Sequence, residues 1–417
     1  MTIYKFQSFI LLFLPVAILT GPFLADLSVS IIALLFIFSC FFYDNSKYLT
    51  NKFIIILFIW CGIILFSSII SDHIMLSLES SLFYSRFVFF SLGVWFVLDK
   101  DKKFIKKFSI FFLITFIFVV LDSYLQYFTQ YNIFGFYYDG YRLTGVFNDK
   151  SVLGNYISRL LPFFFGLIIY SYSQNKFSLI LSITVLLLAD TLIVLSGERT
   201  SIFLTILGTM MIIILLKKNK LIRVLAFIIS FLFASLIIYF DENIKDRVIT
   251  STINETQIFE ENKKVFSEGH ELLYTTGIEM FLDNPVFGIG PKNYREVCKY
   301  DSYFIEVQTD SSLMSNCSTH PHNSYIQLLS ETGIFGIVPF LIFFSVTSFI
   351  ALRHLISFFS YRIKTSLDDF QVCLLVTIFL TLWPFAPTMN LFNNWISVIY
   401  FLPVGFLLQA FDKKTNN

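Results

Sequence analysis

Phe53-Ile-Ile-Ile-Leu-Phe-Ile-Trp-Cys-Gly-Ile-Ile-Leu-Phe-Ser-Ser-Ile-Ile-Ser71 runs without a charged side chain, and this stretch decides the fold class. About 20 mostly apolar residues make a bilayer-crossing helix. The apolar run is continuous, whereas a strand of a membrane barrel alternates, and a lipid-facing backbone must bond to itself. Applied along the chain, the same criterion gives about twelve spans: 4–20, 24–43, 53–71, 79–98, 108–127, 152–171, 177–195, 200–216, 221–240, 330–351, 369–386 and 394–411. Composition agrees, since 56% hydrophobic and 14% charged residues with a mean hydropathy of +0.73 exclude a soluble domain with a polar surface. The first apolar stretch leads almost directly into the second without an A-x-A-like site, so it reads as a span and not as a cleaved signal. The 54 Phe residues read as lipid-facing bulk. A net charge of +1 and the absence of a basic-aromatic module argue against a nucleic-acid partner. The expected protein is all-α and polytopic: residues 1–240 carry nine spans, 241–329 form one large outer loop, and 330–417 carry three spans and a tail.

Lys and Arg in short loops set orientation. With the N-terminus in the cytoplasm, Lys5, Lys47, Lys52, Lys100, Lys102, Lys103, Lys106, Lys107, Lys176, Lys217, Lys218, Lys220, Arg223, Arg353, Arg362, Lys364, Lys413 and Lys414 fall inside. The short segments on the other face hold only Arg142, Lys150 and Arg199. Both termini are therefore expected in the cytoplasm, with the large loop facing the periplasm or cell exterior. Cys40, Cys61 and Cys373 fall in spans, while Cys298 and Cys317 fall in the outer loop, where a disulfide persists; these two are expected to be bridged. Arg86, Asp122, Arg159 and Asp190 lie at a common depth in the outer half of their helices. They read as two structural pairs, for example Asp122 with Arg159, or as a polar vestibule for a charged lipid headgroup.

Chemistry is expected in Thr319-His-Pro-His-Asn-Ser-Tyr-Ile-Gln-Leu-Leu-Ser-Glu-Thr-Gly-Ile-Phe-Gly336, which places two histidines at the lip of a span. Histidine, with an ordinary pKa of about 6.5, takes and returns a proton near neutrality. The bland alternative is a histidine that only secures the turn beside Pro321. His320-Pro-His322 lacks the three or four ligands that zinc requires. Asp99-Lys-Asp101 has the D-x-D form of soluble sugar transferases but lies in a Lys-rich cytoplasmic loop, and reads as a solvated charge run. Asp283-Asn-Pro285 is a helix stop, and Glu331 reads as structural before it reads as an assistant to His322. No metal and no cofactor are expected.

Arg142 with Thr144-Gly-Val-Phe147, Ser196-Gly-Glu-Arg-Thr200, Asp283-Asn-Pro-Val-Phe-Gly-Ile-Gly290 and the spacing H-N-x9-G-x-x-G from His322 to Gly336 together resemble the O-antigen ligase and polymerase superfamily. The resemblance extends from about Tyr141 to Pro339. It implies a metal-independent, inverting membrane glycosyltransferase of GT-C type, moving a glycan from undecaprenyl diphosphate to an acceptor sugar, usually on lipid A core, at the periplasmic face. Within it, His322 is the general base, Asn323 orients the imidazole or the acceptor, and Arg199 forks onto the diphosphate. Family members carry a second arginine in an R-x-x-x-(W/Y) setting, where this chain has His270 four residues before Tyr274. Either His270 does that work or Arg142, Arg159 or Arg295 replaces the arginine. A polymerase joining lipid-linked repeat units and a transporter of lipid-linked sugars are the alternatives.

Overall fold

The computed structural model describes residues 2–148, 150–172, 176–218, 220–256, 266–308, 313–359 and 367–415. They are predominantly helical. Gly21, at φ 104°, turns α1 (Ile3–Leu19) into α2 (Pro22–Ser39), which Pro22 starts at the one helical position where its missing N–H goes unnoticed. After the short α3 (Ser46–Leu49), the Asn51 side chain caps α4 (Lys52–Ile69). Next, α5 (Ile74–Ser81) leads into α6 (Arg86–Lys100), which is almost wholly buried from Phe87 to Leu98. α7 (Phe104–Thr129), α8 (Leu153–Tyr172), α9 (Lys176–Leu195), α10 (Arg199–Leu215) and α11 (Lys220–Phe240) complete the first part of the bundle.

The large loop folds into short pieces: α12 (Glu242–Lys245), a π turn at Asp246–Thr250, α13 (Ser251–Thr256), α14 (Glu268–Asp283) and α15 (Tyr294–Val297). An antiparallel hairpin of β1 (Glu306–Gln308) and β2 (Leu313–Ser315) follows. The chain then re-enters the bundle through α16 (Ser324–Ile356), α17 (Asp369–Thr381) and α18 (Asn394–Thr415). Among the described residues, eight helices are long and apolar enough to cross a membrane, and four further apolar helices are shorter, at 10–17 residues. The shorter ones correspond to segments counted above as full spans.

Contacts between distant loops show that one end of the bundle carries the loop structure. Tyr127 donates to Asp241 (3.0 Å), Arg247 to Tyr141 (3.0 Å), and His73 bonds Tyr300 (2.8 Å). The lysine-bearing turns pack at the opposite end, where Lys47 pairs with Asp99 and Asp412, and Lys107 with Asp101. Both carboxylates of the D-x-D sequence are thus used in ion pairs remote from the histidines.

Three expectations need correction. Asp122 does not pair with Arg159; it accepts from Asn132 Nδ2 (3.1 Å) and the Ile133 amide (3.0 Å), because a shared depth says nothing about which way two helices face. Arg86 pairs with Asp26 (2.8 Å) instead, and Asp190 with Arg223 (2.7 Å). Arg223, tallied as a loop cation, is 2% exposed and belongs to the bundle interior, where the low dielectric favours a bonded pair over a lone charge. Arg362 and Lys364 lie outside the described residues. Finally, the tenth apolar helix begins at Ser324, inside the stretch assigned to the loop, because Asn323 Oδ1 accepts from the Tyr325 and Ile326 amides and starts it there.

α16 is broken at Gly333, whose φ is 64°. The break opens backbone groups that Pro285–Gly290 fills: Ile289 N donates to Ser330 O (2.9 Å), Gly290 N to Glu331 O (2.9 Å) and Ile334 N to Pro285 O (2.9 Å). A Cβ on Gly288 would collide with the Glu331 carbonyl carbon, and one on Gly333 with the Val286 backbone. Two segments about 45 residues apart in sequence therefore interlock main chain to main chain, which only glycine permits at such closeness.

Candidate active site

The histidine segment crosses the loop-bearing end just before α16. His322 has φ 55°, a left-handed conformation that non-glycine residues adopt rarely and that a surrounding framework must enforce. The framework is the connection between α17 and α18. Thr388 N donates to His322 O (2.7 Å), His320 Nε2 donates to Thr388 O (3.1 Å), and Ser324 and Thr388 share a hydroxyl bond of 2.8 Å. Asn323 Nδ2 donates to Pro384 O (2.9 Å), so both ends of its amide are committed to backbone. Pro384 supplies the wall against which the motif is set.

The imidazole of His322 is left facing polar neighbours. Ser318 Oγ lies 3.2 Å from its Nε2, the His320 ring 4.2 Å away and the His270 ring 6.1 Å away, centroid to centroid. Burial, then the neighbouring His270, holds the pKa of His322 below 6.5, which keeps it the free base at neutral pH. His320 is held at about 3, first by burial and then by His322, and its Nε2 must carry the proton that the Thr388 carbonyl accepts. His270, on α14, bonds Ser267 Oγ through Nδ1 (2.7 Å) and is also lowered by burial, with Glu255 raising it and Arg199 opposing.

That electrostatic link leads to a group of arginines. Ser196-Gly-Glu-Arg199 forms the turn between α9 and α10, with Gly197 at φ 65°. Glu198 accepts from the Gly154 and Asn155 amides (2.7 and 3.0 Å) and from Ser201 (3.2 Å), tying the N-terminus of α8 to the turn. Arg199, presented next to it, forks onto both oxygens of Glu255 (2.9 and 2.8 Å). Arg142 and Arg247 flank Gly197: a methyl built there would lie 3.9 Å from Arg142 Cγ and 3.2 Å from Arg247 Cγ.

Residues 177–341 match the family model described as O-Antigen ligase. Over this segment the chain is similar to the O-antigen ligase family. A comparison of the chain with curated proteins finds no match. The matched segment includes Arg199, His270, Arg295 and the His322-Asn323 pair, while Arg142 and Arg159 precede it.

The structure brings His322, His270, Arg199 and Arg142 to one end of the molecule. Arg295 is nearby, donating to Thr319 O (3.4 Å), and Cys298 is bonded to Cys317 in the same wall. Arg159 stands apart: it is 2% exposed, donates to Leu380 O (3.3 Å) and lies over the Tyr400 ring inside the bundle. Its place on α8 turns it toward α17 and α18, away from solvent. Glu331 bonds Gln327 (2.9 Å) and the Tyr294 amide (3.3 Å), a structural role. Sequence reasoning missed Ser318, Glu255 and Arg247. Ser318, four residues before His322, carries a readable signal; Glu255 does not, being 56 residues from the arginine it meets.

Proposed function

We propose that this O-antigen ligase-type protein transfers a glycan from undecaprenyl diphosphate to an acceptor sugar, such as lipid A core, at the periplasmic face of the inner membrane, with His322 as general base. The observation that carries the reading is the cluster in which a partly buried imidazole, its pKa lowered and its backbone left-handed, lies 6.1 Å from the His270 ring, which in turn has Arg199 and Glu255 as its charged neighbours. His322 takes the proton of the acceptor hydroxyl as its oxygen bonds to the anomeric carbon. The bond from that carbon to the diphosphate breaks, and undecaprenyl diphosphate leaves with the electron pair. Arg199 and its neighbours offset the charge that gathers on the leaving group. Asn323 acts as a positioning residue, since its amide is spent on the α16 cap and on Pro384.

An apolar cavity of about 390 Å³ supports a lipid-linked donor. It lies between α4, α16, α17 and α18, is lined by Trp60, Phe340, Leu382 and Leu391, and extends toward Asn51 at the opposite end. Leu382 and Leu391 are bonded directly to Tyr325 and Gln327 of the motif helix, so the cavity begins beneath the histidines.

The test is a glycolipid gel from a strain lacking the gene, complemented with wild type, His322→Ala or Arg199→Ala, with membrane expression checked. Long glycans absent from the lipid A core and accumulated on undecaprenyl diphosphate are expected for both variants. Single repeat units on the core would identify a polymerase instead. Full complementation by His322→Ala would remove the base and favour a transporter.

A further inference from the structure

Asn323 spends its amide on the Tyr325 and Ile326 amides and on Pro384 O, which leaves the orientation of the His322 ring itself to another group. His320 is occupied as well, bonding Thr319 Oγ1 through Nδ1 (2.9 Å) and Thr388 O through Nε2 (3.1 Å). The His270 ring stands 6.1 Å away, centroid to centroid, and no hydrogen bond joins it to His322. Ser318 remains, with its Oγ 3.2 Å from His322 Nε2. Among the described residues, Ser318 Oγ has no other partner and His322 Nδ1 has none at all.

The two ends of this contact are held by separate frameworks. Just before Ser318, Asn316 Nδ2 donates to Thr276 Oγ1 on α14 (2.8 Å) and to Tyr303 O (2.6 Å), and its Oδ1 accepts from the Ile305 amide (3.0 Å). The Asn316 carbonyl accepts from the Tyr294 hydroxyl (3.0 Å), and Cys317 is bridged to Cys298 at the end of α15. His322 is fixed from the other side, where its carbonyl accepts from Thr388 N between α17 and α18. A side-chain contact anchored at both ends in this way keeps one geometry, which is what a reacting group requires.

A neutral imidazole carries one N–H and one lone pair. Were the Ser318 hydroxyl to donate to Nε2, the proton would sit on Nδ1 and neither nitrogen could accept another. With the proton on Nε2 and the serine oxygen accepting it, Nδ1 keeps an open lone pair. That hydrogen bond survives proton uptake, because Nε2–H is present in the imidazolium too and becomes a charge-assisted donor.

We propose that Ser318 is a positioning residue for transfer: its hydroxyl oxygen accepts from Nε2–H of His322, selects that tautomer, and leaves Nδ1 as the atom that takes the acceptor's proton. The inference deepens the transferase reading and rests on His322 being its base. As the acceptor oxygen bonds to the anomeric carbon, its proton passes to Nδ1; the bond from that carbon to the diphosphate breaks, and the diphosphate leaves with the electron pair. The titratable and charged groups around the ring are His270 on α14, with Arg199 and Glu255 beyond it, and His320, with Arg295 of α15 beyond it. None of them hydrogen-bonds the His322 ring, so among the described residues the choice of nitrogen rests with Ser318.

The tautomer is measured on wild-type full-length protein in detergent, grown with 15N-labelled histidine, from the nitrogen chemical shifts of its five imidazoles. The His322 signals are those that vanish in His322→Gln. Above its titration, His322 should carry the proton on Nε2 in wild type and should divide between both tautomers in Ser318→Ala. A proton on Nδ1 in the wild type would overturn the proposal, however the variants behave. Transfer in membranes of the complemented strain is the second readout. Ser318→Ala that is folded by size exclusion should lose about 10–100-fold in kcat with KM little changed, the worth of a hydrogen bond to a charged group. Its acidic limb should move to lower pH, because the imidazolium has lost its acceptor. Ser318→Thr, which keeps a hydroxyl, should restore most of the rate and the limb. An acidic limb unmoved in Ser318→Ala would make the serine merely structural and sink the proposal. Full activity of His322→Ala would remove the base reading and the role of Nδ1 together, whereas a protein that needs His322 yet carries its proton on Nδ1 loses the role of Ser318 alone.

Discussion

The ionisation of His322 makes the most direct residue-level prediction. Its folded value lies below 6.5, so at pH 7 the imidazole is already the free base that an acceptor hydroxyl needs, and protonation removes activity only as the pH falls through that lower value. The acidic limb of the rate of transfer should be centred below pH 6.5; a limb centred above 6.5 would assign the proton to another group. His322→Ala should lose about 10²–10⁴-fold in rate at neutral pH, the usual contribution of a general base. Glu255 gives a prediction of opposite sign. It occupies the Arg199 fork at 2.8 Å with both side chains partly exposed, at 28% and 35%, so the pair is worth little and a diphosphate can displace it. Glu255→Gln should therefore lower the KM for the donor about two- to fivefold while kcat changes little. A raised KM would mean that Glu255 positions Arg199 for the donor and does not compete with it.

At the scale of elements, the break in α16 is the feature on which the site depends. Gly333 holds φ 64° and touches the Val286 backbone, so Gly333→Ala adds a left-handed alanine and a main-chain collision at once. The combined cost should be about 2–5 kcal/mol, enough to lower the melting temperature and to free the outer segment for proteolysis, with the activity of the folded fraction reduced as well. A fully stable Gly333→Ala protein would show that the interlock with Pro285–Gly290 is dispensable. The spacing of Gly333 and Gly336 after His322 was readable as a pattern, and so was the turn at Asp283-Asn-Pro285. Their mutual packing was not, because nothing local in either segment encodes a partner about 45 residues away. His270 presents the same problem: it could be matched to a family position, but its 6.1 Å approach to the His322 ring follows from how α14 lies on α16. Arg247 gave no signal at all, since a lone arginine in a polar loop looks like any solvated cation.

For the whole molecule, the apolar runs made the all-α class and the position of most helices legible, because a lipid-facing helix must be continuous in both hydrogen bonding and hydrophobicity. Among the described residues, however, eight helices are long and apolar enough to cross a membrane against the twelve spans counted from the sequence, and α16 starts at Ser324 and not at 330. What they concealed was rotation: Asp122 and Arg159 share a depth but not a face, and Arg223 looked like a loop cation while it lies bonded to Asp190. The arrangement of charges at the two ends supplies the remaining prediction. Lys47, Lys100, Lys107 and Lys217 belong to the end opposite the histidines, and from the positive-inside tendency that end is expected in the cytoplasm. In a variant whose free cysteines are replaced by serine, Tyr137→Cys and Lys102→Cys offer exposed reporters at the two ends. A membrane-impermeant maleimide should label Tyr137→Cys in intact cells and Lys102→Cys only after permeabilisation. The reverse pattern would place His322 and the arginines in the cytoplasm, where a glycan donor presented at the periplasmic face cannot reach them, and the proposed reaction would fail on geometry alone.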